Sequence, residues 1–198
     1  MPRTLFTSSF VGTEITDLRS LTSLADIRFM DQVHGNSVAV IDESFASTPT
    51  ADALVTTSKG VGLAVRSADC LPILVDGNSV VAAIHAGRKG VTNGVISATI
   101  SKMRELGGDN FRAVIGPAIC AECYEVEAQM YVEVVSNFPA GATSSQKRAL
   151  DLARMAIFEL EEAEVVVAHH GICTKESPDF YSYRRNKTTS RQVGVIAI

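Results

Sequence analysis

The 198-residue sequence contains no tryptophan, only four histidines and only four cysteines. It has no apolar run near the roughly 20 residues of a membrane-spanning helix, and its first ten residues lack the apolar core of a signal peptide. It also lacks an excess of positive charge, because the formal net charge is −4. These absences argue against a membrane segment and against general affinity for nucleic acid. Cysteines without a secretory signal are typical of reduced thiols, which predicts a cytoplasmic protein.

The residues that are present predict an ordered domain with both helices and strands. Hydrophobic residues make up 46% of the chain, and the six prolines and fourteen glycines are ordinary numbers. Apolar residues at helical spacing predict helices at 92–106, 127–137 and 145–162. A continuous β-branched run at 164–168 predicts a buried strand. We therefore predict one α+β domain over residues 1–198, a layered α/β sandwich with a mixed β-sheet and hairpins.

The centre of the sequence predicts a β-hairpin, with two apolar segments flanking the turn Asp76-Gly77-Asn78-Ser79. Gly and Asn supply the positive φ angles that a two-residue loop needs. If the Gly-Asn pair forms that loop, Cys70 lies directly opposite His85, with Cβ atoms roughly 4.5–5.5 Å apart on one face. A loop at Asp76-Gly77 would instead pair Cys70 with Ala83 and make His85 a diagonal neighbour.

Three interpretations of Cys70 and His85 follow from the residues alone. They are a buried thiol beside a core histidine, a pair of metal ligands, or a Cys–His nucleophilic dyad. His34, next to Gly35 in a predicted loop, is a further candidate, but spacing does not join it to the other two. The residues leave these alternatives open.

Short motifs follow one another along residues 31–195. They are Gln32-Val33-His34-Gly35, Ala51-Asp52-Ala53, Ala68-Asp69-Cys70-Leu71-Pro72, His85-Ala86-Gly87, Gly116-Pro117, Tyr124-Glu125-Val126, Cys173-Thr174 and Phe180-Tyr181-Ser182-Tyr183-Arg184-Arg185. Their identity and order resemble those of the laccase-domain family, whose members are also known as multicopper polyphenol oxidases and as zinc-dependent purine nucleoside phosphorylases. The resemblance implies a layered α/β sandwich.

The resemblance also implies one metal ion held by His34, Cys70 and His85, with Zn²⁺ expected and copper as the alternative. Two histidines and one cysteine leave a tetrahedral Zn²⁺ one open position, which is typical of a catalytic site. A histidine ligand usually donates its second N–H to a carboxylate or carbonyl. Asp69 is the candidate for this partner, and a turn or strand-end hydrogen bond is its alternative role.

The implied activity is phosphorolysis of purine nucleosides such as adenosine, inosine or methylthioadenosine, with adenosine deamination as an associated activity. The expected partners are a nucleoside and phosphate, and the sequence does not indicate an oligomeric state. Arg88, Lys89 and Arg184 are candidates for binding the anion, and Tyr183 is a candidate for substrate contact. Arg88 and Lys89 stand where the family commonly has Trp-Arg.

Other functions remain as alternatives. Copper-dependent polyphenol oxidation needs several coppers held mainly by histidines, which four histidines without a His-x-His pair cannot supply. An editing role in peptidoglycan precursor synthesis and a non-catalytic zinc-binding module are further readings. Cys120 and Cys123 have the spacing of metal ligands, but no second cysteine pair accompanies them, so we predict no metal or redox site there. His169 and His170 are expected to pack, or to reach the rim of the site.

Overall fold

A computed structural model describes residues 3–11, 13–42, 47–144 and 147–198. It contains two β-sheets and the helices that cover their outer faces. The strands are β1 (Arg3–Phe6), β2 (Asp26–Arg28), β3 (Val38–Val40), β4 (Ala53–Thr56), β5 (Val61–Ser67), β6 (Leu71–Asp76), β7 (Val81–Ala86), β8 (Arg112–Ile115), β9 (Val166–His169) and β10 (Gln192–Ala197). The helices are α1 (Ile15–Thr22), α2 (Arg88–Thr92), α3 (Val95–Glu105), α4 (Ala128–Asn137), α5 (Leu152–Glu162) and α6 (Tyr183–Asn186).

Both sheets are mixed. The four-stranded sheet has the order β1-β10-β5-β2, in which only the β2–β5 pair is parallel. The six-stranded sheet has the order β3-β4-β7-β6-β8-β9, with parallel pairs at its two edges and antiparallel pairs between them. The predicted α+β sandwich with mixed sheets and hairpins is confirmed.

Alternation of side chains along the strands divides the core into layers. Leu63 and Leu74 lie in a buried cluster between the two sheets. Ile73, the neighbour of Leu74, belongs instead to the cluster on the helix side of the six-stranded sheet, together with Ile96 of α3. Leu18 of α1 covers the outer face of the four-stranded sheet. The layers therefore run helix, sheet, sheet, helix.

Strands β6 and β7 form the predicted hairpin, but the loop lies one position later. The amide of Gly77 donates to the carbonyl of Val80 at 2.9 Å, so Asn78 and Ser79 are the loop residues. Asn78 has a φ of 61°, and its amide donates to the carboxylate of Asp76 at 2.9 Å. This hydrogen bond favours Asn78 as the first loop residue.

The predicted pairing of Cys70 directly opposite His85 is therefore wrong. His85 pairs with Pro72, and Leu71 pairs with Ala86. Because the loop lies one position later, each residue of β6 pairs with a residue of β7 two positions later than predicted. A shift of two keeps each side chain on its original face of the sheet.

Two helix predictions also need correction. The helix predicted at 92–106 corresponds to α3 and begins only at Val95, because Gly94 adopts a φ of +79° between α2 and α3. The helix expected from Ser145 begins only at Leu152, where the Asp151 side chain caps it by accepting from the amide of Arg154 at 2.9 Å. Ser145 itself lies outside the described residues. The remaining predicted helix, at 127–137, is confirmed as α4.

The predicted buried strand at 164–168 is an edge strand. Among the described residues, strand β9 pairs only with β8, and Val166 is 69% exposed. The β-branched run reflects strand propensity here, not burial. Within the described part of the chain, no helix is long and apolar enough to cross a membrane.

Candidate metal centre and cavity

Three side chains from separate parts of the sequence meet at one end of the six-stranded sheet. The ligand atoms of His34, Cys70 and His85 all lie within 4.8 Å of one another. His34 Nε2 is 3.8 Å from Cys70 Sγ, and the two imidazole rings meet edge to face with centroids 4.7 Å apart. The structure thus brings together the three residues that the resemblance implies as metal ligands.

Cys70 and His85 converge even though they are not direct partners. Cys70 immediately precedes β6, and His85 is the fifth residue of β7. Because Pro72 pairs with His85, Cys70 is a diagonal neighbour on the same face, still within reach of a long side chain. Their convergence therefore follows from the hairpin, with a register different from the predicted one.

Asp52, which is fully buried, orients His85. The Nδ1–H of His85 donates to Asp52 Oδ1 at 2.8 Å, and the backbone amide of His85 donates to the carbonyl of Asp52 at 2.8 Å. A carboxylate that accepts from Nδ1 leaves Nε2 of the neutral imidazole as the free lone pair for a metal. Asp52, and not the predicted Asp69, is therefore the carboxylate partner of a candidate ligand.

The same carboxylate also holds the loop that carries His34. Its oxygens accept the backbone amides of His34 at 2.9 Å and Gly35 at 2.6 Å, and that of Val33 at 3.3 Å. His34 adopts a φ of 60°, in the left-handed region that non-glycine residues rarely enter. The hydrogen bonds to Asp52 compensate for this strain. One buried side chain thus places two of the three donors.

Gly87 provides space for the cluster. A Cβ atom built on Gly87 would lie 3.0 Å from Cys70 Sγ and 3.0 Å from the His34 ring. Contacts this short would push the sulfur and the imidazole apart. Glycine is therefore required by the close approach of the backbone, although its φ of −76° is open to any residue.

The protonation equilibria favour the ligand form of the cysteine. Burial by itself raises the pKa of the Cys70 thiol, but hydrogen bonds from His34 and His85 outweigh that effect and lower the pKa to about 6. Burial lowers the pKa of His85, whereas its hydrogen bonds with Asp52 and Cys70 raise it to about 9. The two histidines therefore favour the thiolate form of Cys70. A thiolate is the form that binds metal ions and that acts as a nucleophile.

The cluster lies in the wall of an open cavity of about 510 Å³. Besides the three donors, the wall contains three arginines and two tyrosines. These are Arg66, Arg184, Arg191, Tyr124 and Tyr183. Cationic and aromatic groups beside a candidate metal centre suit a ligand with an anionic part and a flat ring system.

Arg184 reaches this wall because Asp69 anchors its backbone. Asp69 Oδ2 accepts the amide of Arg184 at 2.7 Å, and Oδ1 accepts from the Thr174 hydroxyl at 2.7 Å. The guanidinium donates to the carbonyl of Glu125 at 2.7 Å and lies 4.8 Å from the centroid of the Tyr124 ring. Asp69 therefore joins the chemistry of the site by positioning Arg184, not by holding a histidine.

The other predicted anion-binding residues occupy different positions. Arg88 and Lys89 form the first turn of α2, and neither lines the 510 Å³ cavity. Lys89 is exposed, whereas Arg88 interacts with Tyr124. Burial raises the pKa of Tyr124, and the charges of Arg88 and Arg184 oppose this effect. Arg88 thus acts on the cavity through Tyr124.

Sequence reasoning missed several of these residues. Asp52 belongs to one of the motifs quoted above, but sequence reasoning assigned no function to its carboxylate. Arg66, within β5, gave no signal of its own, and Arg191 followed the last motif but received no role. Their placement depends on the packing of the two sheets, which no local pattern records.

The donor set fits one transition-metal ion. Two imidazoles and one thiolate are the ligands that Zn²⁺ accepts in sites with one open position. The two remaining histidines of the chain lie elsewhere: the His170 ring packs edge to face on Phe6 at 5.3 Å, and His169 ends β9. Among the described residues, the histidines therefore do not assemble a site for several copper ions.

Comparison with known proteins identifies relatives over most of the chain. Residues 10–198 match the family described as multi-copper polyphenol oxidoreductase laccase. A Streptomyces coelicolor protein named purine nucleoside phosphorylase is 42% identical over 87% of this chain and 75% of its own length. A Corynebacterium glutamicum protein of the same name is 39% identical over 85% of this chain and 72% of its own length.

The fold also matches a solved structure. A crystal structure of a Neisseria meningitidis protein superposes with a TM-score of 0.84 at 28% identity, covering 100% of this chain and 94% of that one. The cluster of two histidines and a cysteine therefore lies in a chain whose fold and sequence pattern are also found in other proteins. The chain belongs to the multi-copper polyphenol oxidoreductase laccase family, although its histidines suit one metal ion and not a copper cluster.

Proposed function

We propose that this protein is a metal-dependent purine nucleoside phosphorylase, with residues 1–198 forming one domain of this type. The observation that carries the proposal is that the candidate metal ligands and three arginines line the same cavity. Relatives at 42% and 39% identity that bear the name purine nucleoside phosphorylase support it. The proposed metal ligands are His34, Cys70 and His85.

The arginines would bind the phosphate co-substrate. Each is held in place by a contact with the protein: Arg66 stacks 3.9 Å from the centroid of the Phe29 ring, and Arg191 donates to the carbonyl of Ser190 at 2.9 Å. Arg184 is fixed through Glu125 and Tyr124, as described above. Guanidinium groups held in this way lose little side-chain freedom when they bind an anion. Each charge-assisted hydrogen bond to phosphate contributes about 1.5–3 kcal/mol.

The tyrosines would contact the nucleoside. Tyr183 is 49% exposed at the cavity rim, and Tyr124 is half-buried deeper in the wall. An aromatic side chain offers a flat apolar surface for a purine ring and a hydroxyl for a polar group. The proposed substrates are adenosine, inosine and methylthioadenosine, which share the purine and the sugar.

In phosphorolysis, a phosphate oxygen attacks C1′ of the sugar while the bond from C1′ to the purine nitrogen breaks. The purine leaves with the bonding electron pair and takes up a proton, and the sugar keeps the phosphate. The arginines place the attacking anion and offset its charge, which preorganises the reaction. Asp52 keeps His85 in one tautomer and orientation throughout. When bound, Zn²⁺ supplies a Lewis acid with one open position for water or a substrate atom.

Adenosine deamination is a second proposed activity of the same cavity. In this reaction, water replaces the amino group at C6 of adenine and ammonia leaves, so no phosphate is consumed. Three donors at a site that opens to solvent support it, because a donor set of this kind leaves room for water. The same opening argues against a non-catalytic zinc module, whose ion would be fully enclosed by protein ligands.

A nucleoside screen tests both activities. The zinc-containing protein would be incubated with adenosine, inosine and methylthioadenosine, with and without phosphate, and free purine and ammonia would be measured. We expect purine release to require phosphate, and ammonia release from adenosine to be independent of it. A zinc-containing, folded protein that releases no purine from any of the three nucleosides would contradict the proposal.

A further inference from the structure

A second group of metal-ligating side chains lies outside the cavity. The ligand atoms of Cys120, Cys123, Cys173 and Glu176 all lie within 4.8 Å of one another. None of these four residues lines the 510 Å³ cavity. We propose that they form a second, structural site for a thiophilic divalent cation, with Zn²⁺ as the expected ion.

The two halves of the group have the same spacing. Cys120 and Cys123 are separated by two residues in a 3-10 turn, and Cys173 and Glu176 are separated by two residues in a second turn. Structural zinc sites are commonly built from two turns of this kind. A carboxylate replaces the fourth thiolate here, which is why counting cysteine pairs did not find the site.

The distances suit a tetrahedral ion. Zinc–sulfur bonds of about 2.3 Å place two sulfur ligands about 3.8 Å apart in a tetrahedron. Cys123 Sγ already lies 3.5 Å from Glu176 Oε1. Since no pair of ligand atoms exceeds 4.8 Å, the side chains need contract by no more than about 1 Å to bind the ion.

The backbone fixes the two turns relative to each other. Ala118 and Cys173 form a parallel β-bridge, in which the amide of Thr174 donates to the carbonyl of Ala118 at 2.9 Å. The amide of Cys120 donates to Cys173 Sγ at 3.4 Å. A site whose donors are held by backbone hydrogen bonds is preorganised for the ion.

The positive charge of one arginine offsets part of the negative charge of the proposed site. Three thiolates and one carboxylate around Zn²⁺ carry two net negative charges once the thiol protons have been released. The guanidinium of Arg185 lies against the second turn, where it donates to the carbonyls of Thr174 at 2.6 Å and Ser177 at 2.8 Å. Arg185 therefore places a positive charge beside the site.

The proposed ion would stabilise two segments of the chain that shape the cavity wall. Tyr124, which lines the cavity, directly follows Cys123. Thr174, which follows Cys173, donates to the carboxylate that anchors Arg184. The ion would join the segment that carries Tyr124 to the turn whose Thr174 holds the anchor of Arg184. This role does not depend on the proposed reaction, so a failure of either proposal is distinguishable from a failure of the other.

Metal counting on variants tests the site. With zinc supplied during expression, we expect about two zinc ions per chain in the unaltered protein, about one in Cys70→Ser, and none in Cys70→Ser/Cys120→Ser. The Cys70→Ser background isolates the second site, because its three remaining cysteines all belong to it. A folded Cys70→Ser protein that holds no zinc would overturn the proposal.

A matched pair of carboxylate variants tests the fourth ligand. In the Cys70→Ser background, Glu176→Gln should weaken zinc binding by at least about 10-fold in competition with a chelator. Glu122→Gln, which removes an exposed carboxylate beside Cys123, should not change it. Equal zinc affinities in the two variants would remove Glu176 from the site and overturn the four-ligand arrangement.

Spectroscopy on the unaltered protein covers the case in which a variant fails to fold. After zinc removal, Co²⁺ should fill both sites and give thiolate-to-metal absorption stronger than one thiolate can produce. A thiol reagent should label Cys120, Cys123 and Cys173 rapidly only after chelation, as mapped by mass spectrometry. Labelling of these cysteines that is equally fast before chelation, or a disulfide among them in the protein as purified, would overturn the proposal.

Discussion

The two cysteine-containing clusters of this protein differ in donor number and in access. The cluster of His34, Cys70 and His85 has three donors and lies in the wall of an open cavity. The cluster built around Cys120 and Cys173 has four donors and lies outside that cavity. An ion with three protein ligands keeps a position for chemistry, whereas four ligands close it. The comparison therefore separates the proposed site for reaction from the proposed site for stability.

The clusters also differ in what holds their donors. Asp52, fully buried, orients the first cluster through its hydrogen bonds to His85 and to the loop of His34. The second cluster depends on two turns joined by a backbone bridge. Precise placement of each donor matters most in the first cluster, where a substrate must also fit.

The largest expected effect comes from removing one thiolate from each cluster in turn. Cys70→Ser should lower nucleoside phosphorolysis by more than about 100-fold, because loss of a ligand exceeds the 10- to 100-fold cost of losing an outer partner. Cys120→Ser should lower the thermal midpoint of unfolding and reduce phosphorolysis far less. Rates and unfolding curves of both purified variants provide the measurement. Equal losses of activity would erase the distinction between the two clusters.

The next effect concerns the carboxylate that serves the first cluster. Asp52→Asn should weaken zinc binding there by about 10- to 100-fold, because the amide cannot accept equally well from all its partners. Asp69→Asn is the matched control, since it alters the anchor of Arg184 and should raise KM without loss of zinc. Chelator competition and steady-state kinetics separate the two. Zinc loss in Asp69→Asn but not in Asp52→Asn would mean that the roles are reversed.

These two aspartates show what the sequence could and could not predict. Both lie in the motifs quoted above, but only Asp69 is adjacent to a candidate ligand in the sequence, and the need for a carboxylate partner was clear from metal chemistry. The choice between them depended on the backbone: Asp69 has a φ of 96°, which turns its side chain towards Thr174, while Asp52 lies beside β7. A positive φ at a non-glycine residue has no reliable sequence signal.

The register of the β6–β7 hairpin also could not be predicted from the sequence. Sequence alternation correctly placed Cys70 and His85 on one face, because a one-position error in the loop shifts pairing by two and preserves the face. It could not fix the register, since Gly77-Asn78 and Asn78-Ser79 both offer a residue suited to positive φ. Only the resemblance joined His34 to these two residues, because no local pattern brings a distant loop to the end of a sheet.

An effect of similar size, on the KM for phosphate and not on zinc binding, is expected from the cations around the first cluster. Arg184→Ala should raise the KM for phosphate about 10- to 150-fold, which corresponds to one charge-assisted hydrogen bond of roughly 1.5–3 kcal/mol. Arg88→Ala should act more weakly, because Arg88 influences the cavity through Tyr124. Lys89→Ala, at an exposed position, is the control and should leave KM unchanged. Deamination, which uses water, should change little in Arg88→Ala and Lys89→Ala. A larger loss in Lys89→Ala than in Arg184→Ala would contradict the assignment.

The smallest effect is expected from Glu159, whose carboxylate belongs to neither cluster. Its titration changes the free energy of unfolding with pH, so it affects any comparison of stability between variants of the two clusters. Burial raises the pKa of Glu159 to about 7, against a weaker opposing hydrogen bond from Ser97, and its Oε2 has no hydrogen-bond partner in the described part of the chain. Because the folded-state pKa exceeds the usual 4.5, its contribution to stability is full below about pH 4.5 and is lost as the pH rises through about 7.

Glu159→Gln should therefore raise the free energy of unfolding by about 1–3 kcal/mol at pH 8 and change it little at pH 5. Glu162→Gln, at an exposed position near the end of the same helix, should do neither. Denaturant unfolding at the two pH values measures both variants. A gain for Glu159→Gln that is as large at pH 5 as at pH 8 would show that titration is not its cause.

The most direct test of the central claim is the ratio of phosphate consumed to purine released by the zinc-containing protein acting on inosine. Phosphorolysis joins one phosphate to the sugar for each purine that leaves, so the account predicts about one phosphate consumed per purine, with a sugar phosphate as the second product. Purine release without phosphate consumption would mean hydrolysis, and it would contradict the assignment of the three arginines and the metal centre to phosphorolysis.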